Sequence, residues 1–300
     1  MDTPTLILQA VVVTLSLLIP PLADGIERKV RAKIQFRVGP PTILQTFYDL
    51  RKLAVKELIV PKGAELTLTI SSIALVTAVT ATASTIWIVA QDVFTPANLA
   101  LTVLLISGSH VLISLTSLTT SNPYAVVGSF RKILLQVVNE VGFFVGVLYS
   151  ITALKNLTSD TSPQLITSYV ISVALVVITT YVSSGRVPYD IHEAEPELAS
   201  GVLIELSGPL LSIYSYTHIL KKYLLSFITA YLILTPFTSL TNPAIKLAAN
   251  VTFGLMIYLS YGFTAALLGR TRIDLSLKTL TTTTLIIISL LVILSWLSSY

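Results

Sequence analysis

The sequence predicts an all-α integral membrane protein with eight transmembrane helices and one further amphipathic helix in the membrane interface. Three observations lead there. The chain is 53% hydrophobic and only 11% charged over 300 residues, with a mean hydropathy of +0.82, far from the balance of soluble domains. Several apolar runs reach the roughly twenty residues that a helix needs to cross about 30 Å of hydrocarbon. The runs are continuous rather than the short alternating segments of a membrane barrel. In hydrocarbon a continuous run must satisfy its own backbone, which a helix does.

The spans fall near residues 4–23, 65–90, 97–119, 129–153, 163–183, 207–237, 244–268 and 277–297, in a single membrane domain over 1–300. The first run, Leu6 to Leu22, lacks a basic n-region and leads into a structured-looking segment, so it reads as a retained helix and not a cleaved signal. The connections sort by charge. Segment 24–64 carries nine basic residues (Arg28, Lys29, Arg31, Lys33, Arg37, Arg51, Lys52, Lys56 and Lys62). Segment 120–132 adds Arg131 and Lys132, 184–206 adds Arg186, and 269–278 adds Arg270, Arg272 and Lys278. The opposite connections, 91–96, 154–162 and 238–243, contain only Lys155. Basic loops stay on the cytoplasmic side, which puts both termini outside.

Lys221 and Lys222 fall in the middle of 207–237. Two short helices would accommodate them, but would move Arg270, Arg272 and Lys278 to the outer side and break the charge alternation. One long helix with its lysines facing protein or a cavity is the reading that keeps the alternation. Within the cytoplasmic loop 24–64, residues 42–58 repeat apolar positions at helical spacing (Ile43, Leu44, Phe47, Leu50, Leu53, Ala54, Leu58). Gly39-Pro40-Pro41 before it and Pro61 after it set its start and stop. Such a helix lies flat in the interface. It is a surface anchor, or the rim of an access site or docking surface for a soluble partner.

The chain holds no cysteine, which removes thiolate-held iron–sulfur clusters, disulfides and Cys-ligated zinc. Its histidines, at 110, 192 and 218, are too scattered for a metal signature. No nucleophile–base pair or phosphate-cradling loop is present, so no catalytic residue, metal site or bound cofactor is expected in this chain, and nothing points to nucleic acid.

The chemistry concentrates in carboxylates. The acidic cytoplasmic loop 184–206 places Asp190, Glu193, Glu195, Glu197 and Glu205 within sixteen residues. One or two acids would suffice to stabilise a helix N-terminus. Four within eight residues, with Arg186 the only base nearby in sequence, repel one another and titrate as a coupled group. Glu205 is placed at the start of the sixth span, where Pro209 would permit a kink. Glu140 falls in the fourth span and shares a polar stripe with Gln136 and Asn139. An ionised carboxylate inside the bilayer costs at least about 2–3 kcal/mol, so each acid either handles protons or pairs with Lys221, Lys222 or His110 to lock helices.

These residues carry a resemblance to the quinone-chamber subunit of respiratory complex I and to its relatives in archaeal group 4 membrane-bound [NiFe]-hydrogenases and sulfur-reducing complexes. The matching blocks are Glu27-Arg-Lys-Val-Arg-Ala-Lys-Ile-Gln-Phe-Arg-Val-Gly-Pro40, Leu44-Gln-Thr-Phe-Tyr-Asp-Leu-Arg-Lys-Leu53, Asn122-Pro-Tyr-Ala-Val-Val-Gly-Ser-Phe-Arg131, the whole of Arg186 to Glu205, and Arg270-Thr-Arg-Ile-Asp274. Gly39-Pro40-Pro41, Leu44-Gln45, Tyr48-Asp49 and Glu205-Leu-Ser-Gly-Pro-Leu resemble the hydrogenase branch. The resemblance implies a subunit that couples instead of catalysing. Glu140, Glu193, Glu195, Glu197 and Glu205, together with Asp190, would form a proton path from a redox module toward antiporter-like membrane subunits. It places Arg28, Arg37 and Arg186 near the redox-module interface. It also implies partners: hydrogenase-like large and small subunits and an iron–sulfur subunit, which would carry the NiFe and iron–sulfur centres. The alternatives are the quinone-binding membrane subunit of an oxidoreductase fed by NADH, reduced deazaflavin or ferredoxin, or a passive anchor whose acids only pack helices.

Overall fold

The computed structural model describes residues 3–60, 64–91, 96–120, 122–157, 162–191, 200–237 and 242–298. Its helices are α1 (Thr3–Ile34), α2 (Gln45–Ala54), α3 (Leu66–Gln91), α4 (Pro96–Leu118), α5 (Pro123–Leu157), α6 (Pro163–Ser183), α7 (Gly208–Leu234), α8 (Pro243–Leu267) and α9 (Ile273–Ser298). Among the described residues, eight of these, all but α2, are long and apolar enough to cross a membrane. Prolines stand at the start of α4, α5, α6, α7 and α8. A proline at the first helical position loses no hydrogen bond, because that N–H has no intrahelical partner.

α7 is the hub. It packs against α1, α2, α3, α4, α6 and α8, whereas α9 lies on α5 and α6 at the edge. Tyr223, Leu224, Leu225 and Phe227 of α7 share one core with Ala81 and Ile86 of α3, Ile106 of α4, Phe143 and Val147 of α5, Val176 of α6 and Tyr258 of α8. Helices in lipid gain little from apolar burial against each other and rely on close packing at small residues. Gly142 and Gly146 supply it for α5. A Cβ on Gly142 would come within 3.0 Å of Thr179 Cγ2 and Thr284 Cγ2, and one on Gly146 within 2.9 Å of Val176 Cγ2.

Prolines inside helices free carbonyls, and tyrosines from neighbouring helices take them. Pro21 cannot donate to the Leu17 carbonyl one turn back; Tyr216 of α7 does so at 2.9 Å. Pro236, in the 3₁₀ turn Thr235–Phe237 after α7, cannot serve the Leu232 carbonyl, and Tyr169 of α6 donates to that oxygen.

The boundaries differ from expectation in informative ways. α1 runs eleven residues past Ala23, so part of the predicted 24–64 loop is helix. Hydropathy marks where the hydrocarbon ends, whereas the helix continues while its residues favour it. Residues 24–34 contain no proline and include a Glu27–Arg31 pair one turn apart at 2.7 Å. α5 begins at Pro123 instead of 129, which puts Lys132 inside the bundle. The surface helix is Gln45–Ala54, shorter than 42–58. The chain beyond it packs against the start of α7, where a Cβ on Gly208 would sit 2.7 Å from the Glu57 carbonyl. The run 207–237 is one helix ending in a 3₁₀ turn, as the charge alternation required.

Candidate functional site: a buried polar seam

Ionisable groups gather along one path through the bundle, beginning where α1 ends. Glu27 and Arg186 are 5% and 2% exposed. Arg186 donates through Nη2 to Glu27 Oε2 at 2.5 Å and through Nε to Oε1 at 3.2 Å, and Arg31 adds a 2.7 Å contact to Oε1. The Arg186 guanidinium lies 4.5 Å from the centre of the Tyr258 ring. Gly262 of α8 makes the room, because a Cβ there would overlap Glu27 Cγ. Arg186 is therefore enclosed by its own chain and does not reach a surface, unlike Arg28 and Arg37, which are exposed.

α2 is fixed across the end of α1. Arg28 pairs with Asp49 at 2.9 Å, Thr46 donates to Asp24 at 2.9 Å, and Ser212 of α7 donates to the Leu50 carbonyl at 3.0 Å. Gly25 permits the approach, since a Cβ there would overlap the Ile43 carbonyl oxygen. Burial pushes the Asp49 carboxyl up, but the bonds from Arg28 and Gln45 outweigh it and hold it below its ordinary value.

Asp190 pairs with Arg270 at 2.8 Å, not with Arg186, its neighbour in sequence. Burial still raises its carboxyl above the usual range against the pull of Arg270. Next to it, Tyr189 lines a cavity of about 30 Å³ between α5, α6 and α7. The other polar walls are Lys132, Gln136, Asn139, Ser183, His218 and Lys221. Lys132 donates to the Tyr214 hydroxyl at 2.9 Å. Asn139 donates to the Thr179 carbonyl at 2.9 Å and to Ser183 at 2.6 Å, and its buried Oδ1 has no hydrogen-bond partner. Lys221 is 3% exposed and lies within electrostatic reach of Glu140 and Lys132. Lys222 is half-buried and bears on Glu27 and Asp190.

The far wall of the cavity leads to Glu140, the middle residue of α5. Gln136 donates to Glu140 Oε1 at 3.2 Å, His110 Nδ1 lies 3.0 Å from the same oxygen, and Ser107 donates to Oε2. The pairing left open among Lys221, Lys222 and His110 is thus made with His110.

Glu205 is not in a span. It follows the 3₁₀ turn Gly201–Leu203 and accepts from Asn122 Nδ2 at 2.7 Å, at the start of α5. Gly208, with φ of 54°, and Pro209 begin α7 three residues later, so Pro209 starts a helix and does not kink one. Glu193, Glu195 and Glu197 lie outside the described residues. Sequence reasoning missed Glu27, Lys132 and Arg270 as members of the seam. Their only signal was membership of matched blocks or of basic loops, with no hint of which partner each would find. Among the described residues no group of three or more His, Asp or Glu side chains is placed to hold a metal ion.

A helical bundle with charged groups enclosed along its length defines a multi-pass membrane protein built around a polar interior. The chain belongs to the NADH dehydrogenase family, whose model matches residues 6–297. It is 26% identical over 223 residues to hydrogenase-4 component C of Escherichia coli, covering 70% of this chain and 69% of that one. It is 28% identical over 283 residues to NADH-quinone oxidoreductase subunit 8 of Rhodothermus marinus, covering 85% and 80%. It is 30% identical over 264 residues to NADH-ubiquinone oxidoreductase chain 1 of Varanus baritji, covering 83% and 81%. In fold it resembles a chain of the membrane-bound sulfane sulfur reductase, an archaeal respiratory membrane complex. The TM-score is 0.77 at 20% identity, over 97% of this chain and 99% of that one.

Proposed function

We propose that this chain is the membrane subunit of a complex I-like respiratory oxidoreductase of the membrane-bound hydrogenase type. It docks a redox module on its basic side, and it couples electron transfer there to proton or sodium movement through Glu140. Both termini face outward, and the 300 residues act as one membrane domain. The partners are hydrogenase-like large and small subunits, an iron–sulfur subunit and antiporter-like membrane subunits. The first three carry the NiFe and iron–sulfur centres, and this chain binds none.

The observation that carries this reading is the continuity of the seam. Asp190 adjoins Tyr189 on the cavity, the cavity adjoins Gln136, and Gln136 bonds Glu140. A cavity of about 30 Å³ exceeds the roughly 10–15 Å³ that one water requires, and its walls offer several polar partners. A proton arriving from the acidic loop crosses this cavity as far as Gln136, whose amide cannot itself relay it and must swing aside for the last step to Glu140. Lys221 and Lys132 set the potential at that cavity. A change of charge on the acids from Asp190 to Glu205 is felt at this cavity and, through Lys221, at Glu140. The docking surface is the exposed basic end of α1 with α2, where Arg28 and Arg37 stand.

A second reading has an observation of its own. Glu27, Asp190 and Glu140 each have a cationic or imidazole partner, which is what acids that only lock helices would show. Glu140→Gln separates the two, since it keeps the shape and removes the titrating charge. In the assembled complex in proteoliposomes, coupling predicts normal assembly and electron transfer with ion translocation lost. Unchanged translocation in both Glu140→Gln and Glu205→Gln overturns the coupling role. Quinone-dependent turnover in the same vesicles would move the chain to the quinone-reactive branch.

A further inference from the structure

Two cavities of similar size lie on either side of Glu140. The polar one, described above, is walled on α5 by Lys132, Gln136 and Asn139 and on α7 by His218 and Lys221. The second, of about 40 Å³, is walled on α5 by Val147 and Ile151 and on α7 by Ile228, Tyr231 and Leu232, with Val89 of α3 and Val103 of α4. Glu140 stands between them on α5, one turn past Gln136 and two turns before Val147, the latter about 10 Å at 1.5 Å per residue. The second cavity lies near the ends of α3, α5 and α7 and the start of α4, at the end of the bundle opposite the basic loops.

The two differ in chemistry. Among the described residues, the wall of the second cavity is hydrocarbon at seven of ten positions and charged at none, and every wall residue but Ile228 is buried. Thr85, Thr102 and Tyr231 bring hydroxyls. That of Thr85 is turned to its own helix, donating to the Ala81 and Thr82 carbonyls at 3.0 and 2.9 Å. The space exceeds the roughly 10–15 Å³ that one water requires, but a water also needs about 2–4 polar partners, and apolar cavities stay dry. Ile106, next to Ser107 in α4, and Phe143, one turn past Glu140 in α5, are each 1% exposed and join the same core as Val103, Val147 and Leu232. The seam of ionisable groups therefore meets hydrocarbon just past Glu140.

We propose that this dry cavity and the core around it form an insulating plug, which leaves Glu140 open to protons through the polar cavity alone. A hydrophobic constriction stops ions by excluding water. Because the block is dryness and not bulk, one amide in the wall breaches it, and one more methyl leaves it unchanged. The inference rests on the reading of Glu140 as the coupling group and adds its sidedness.

The test is a passive leak, read in the complete complex in proteoliposomes with no electron donor. A potassium gradient with valinomycin drives protons, and an entrapped pH dye reports them. Val147→Asn places in the wall an amide that its own helix cannot fully satisfy, and should raise the leak several-fold over the wild type. Val103→Thr, which changes shape least, carries the same expectation if Val147→Asn does not assemble. Adding Glu140→Gln to the leaking variant should return the leak to the wild-type level. Val103→Ile, which fills part of the cavity with hydrocarbon, should keep both the low leak and wild-type translocation. A wild-type leak in the assembled polar variant overturns the proposal, as does a leak that survives Glu140→Gln. Loss of translocation in Val103→Ile with electron transfer intact overturns it too, because the cavity would then be part of the path. The leak needs no turnover, so its failure is distinct from that of coupling, which is read as translocation in Glu140→Gln alone.

Discussion

His110 of α4 places Nδ1 3.0 Å from Glu140 Oε1 at the centre of α5, and both side chains are withdrawn from the outside, at 1% and 14% exposure. An imidazole has one nitrogen that can accept a proton and one that can release it, whereas an amide in its place can only hold a hydrogen bond. His110→Gln therefore distinguishes exchange from tethering. We expect the variant complex to assemble and transfer electrons while ion translocation falls to background. Retained translocation would assign His110 to tethering alone.

Glu27 and Arg186 form the most enclosed ion pair among the described residues, across 159 positions of sequence. Removing one partner of a buried pair costs about 3–5 kcal/mol, because the other charge stays in low dielectric without compensation. Arg186→Ala should lower the thermal midpoint of the solubilised complex far more than Arg37→Ala, which removes an exposed charge. Gly262→Ala should act through the same pair by pushing the Glu27 side chain off Arg186. In a Glu27→Gln, Arg186→Met background, Gly262→Ala should cost much less than in the wild type. An equal cost in the two backgrounds would show that Gly262 serves packing only.

The spans are legible because each is a long, predominantly apolar run, and the unity of 207–237, despite Lys221 and Lys222, because splitting it would reverse three later charges. Glu140 is legible as an acid in mid-span. Its choice of His110 is not, because three candidate partners stand in the sequence and only the packing of α4 on α5 decides among them. Arg186 reads in sequence as a group at the interface beside the acidic loop. It turns inward because α1 stays helical past the hydrocarbon and carries Glu27 to meet it, an extension that hydropathy does not register. With Arg186 taken, Asp190 pairs with Arg270 from the segment before α9, a contact spanning 80 residues.

Two acids outside the spans respond to pH with opposite signs. Asp49 is held below its ordinary value of 3.8, so the stability it lends α2 is present above that pH and lost as pH falls through its folded value. Asp190 is raised above 3.8 by burial, so its contribution is full below that pH and lost as pH rises through its folded value. Hydrogen exchange of residues 45–54, corrected for intrinsic rates, should quicken on acidification, and Asp49→Asn should flatten that response. Asp190→Asn should instead gain on the wild type in thermal midpoint as pH rises toward neutral. The reverse order in either comparison would refute the assigned environment.

Tyr216 and Pro21 should behave as a coupled pair although they do not bond each other. Pro21 leaves the Leu17 carbonyl without its helical donor, and Tyr216 supplies one at 2.9 Å. Tyr216→Phe then strands a carbonyl inside the bundle, at a cost of about 1–3 kcal/mol. Pro21→Ala restores a backbone N–H one turn away, so in that background the same Tyr216→Phe change should cost a fraction as much. The coupling should exceed the roughly 0.6 kcal/mol average of interhelical hydrogen bonds in membranes, because here the acceptor has no backbone donor to fall back on. Equal costs of Tyr216→Phe with and without Pro21 would mean that the tyrosine stabilises α1 and α7 by its ring alone.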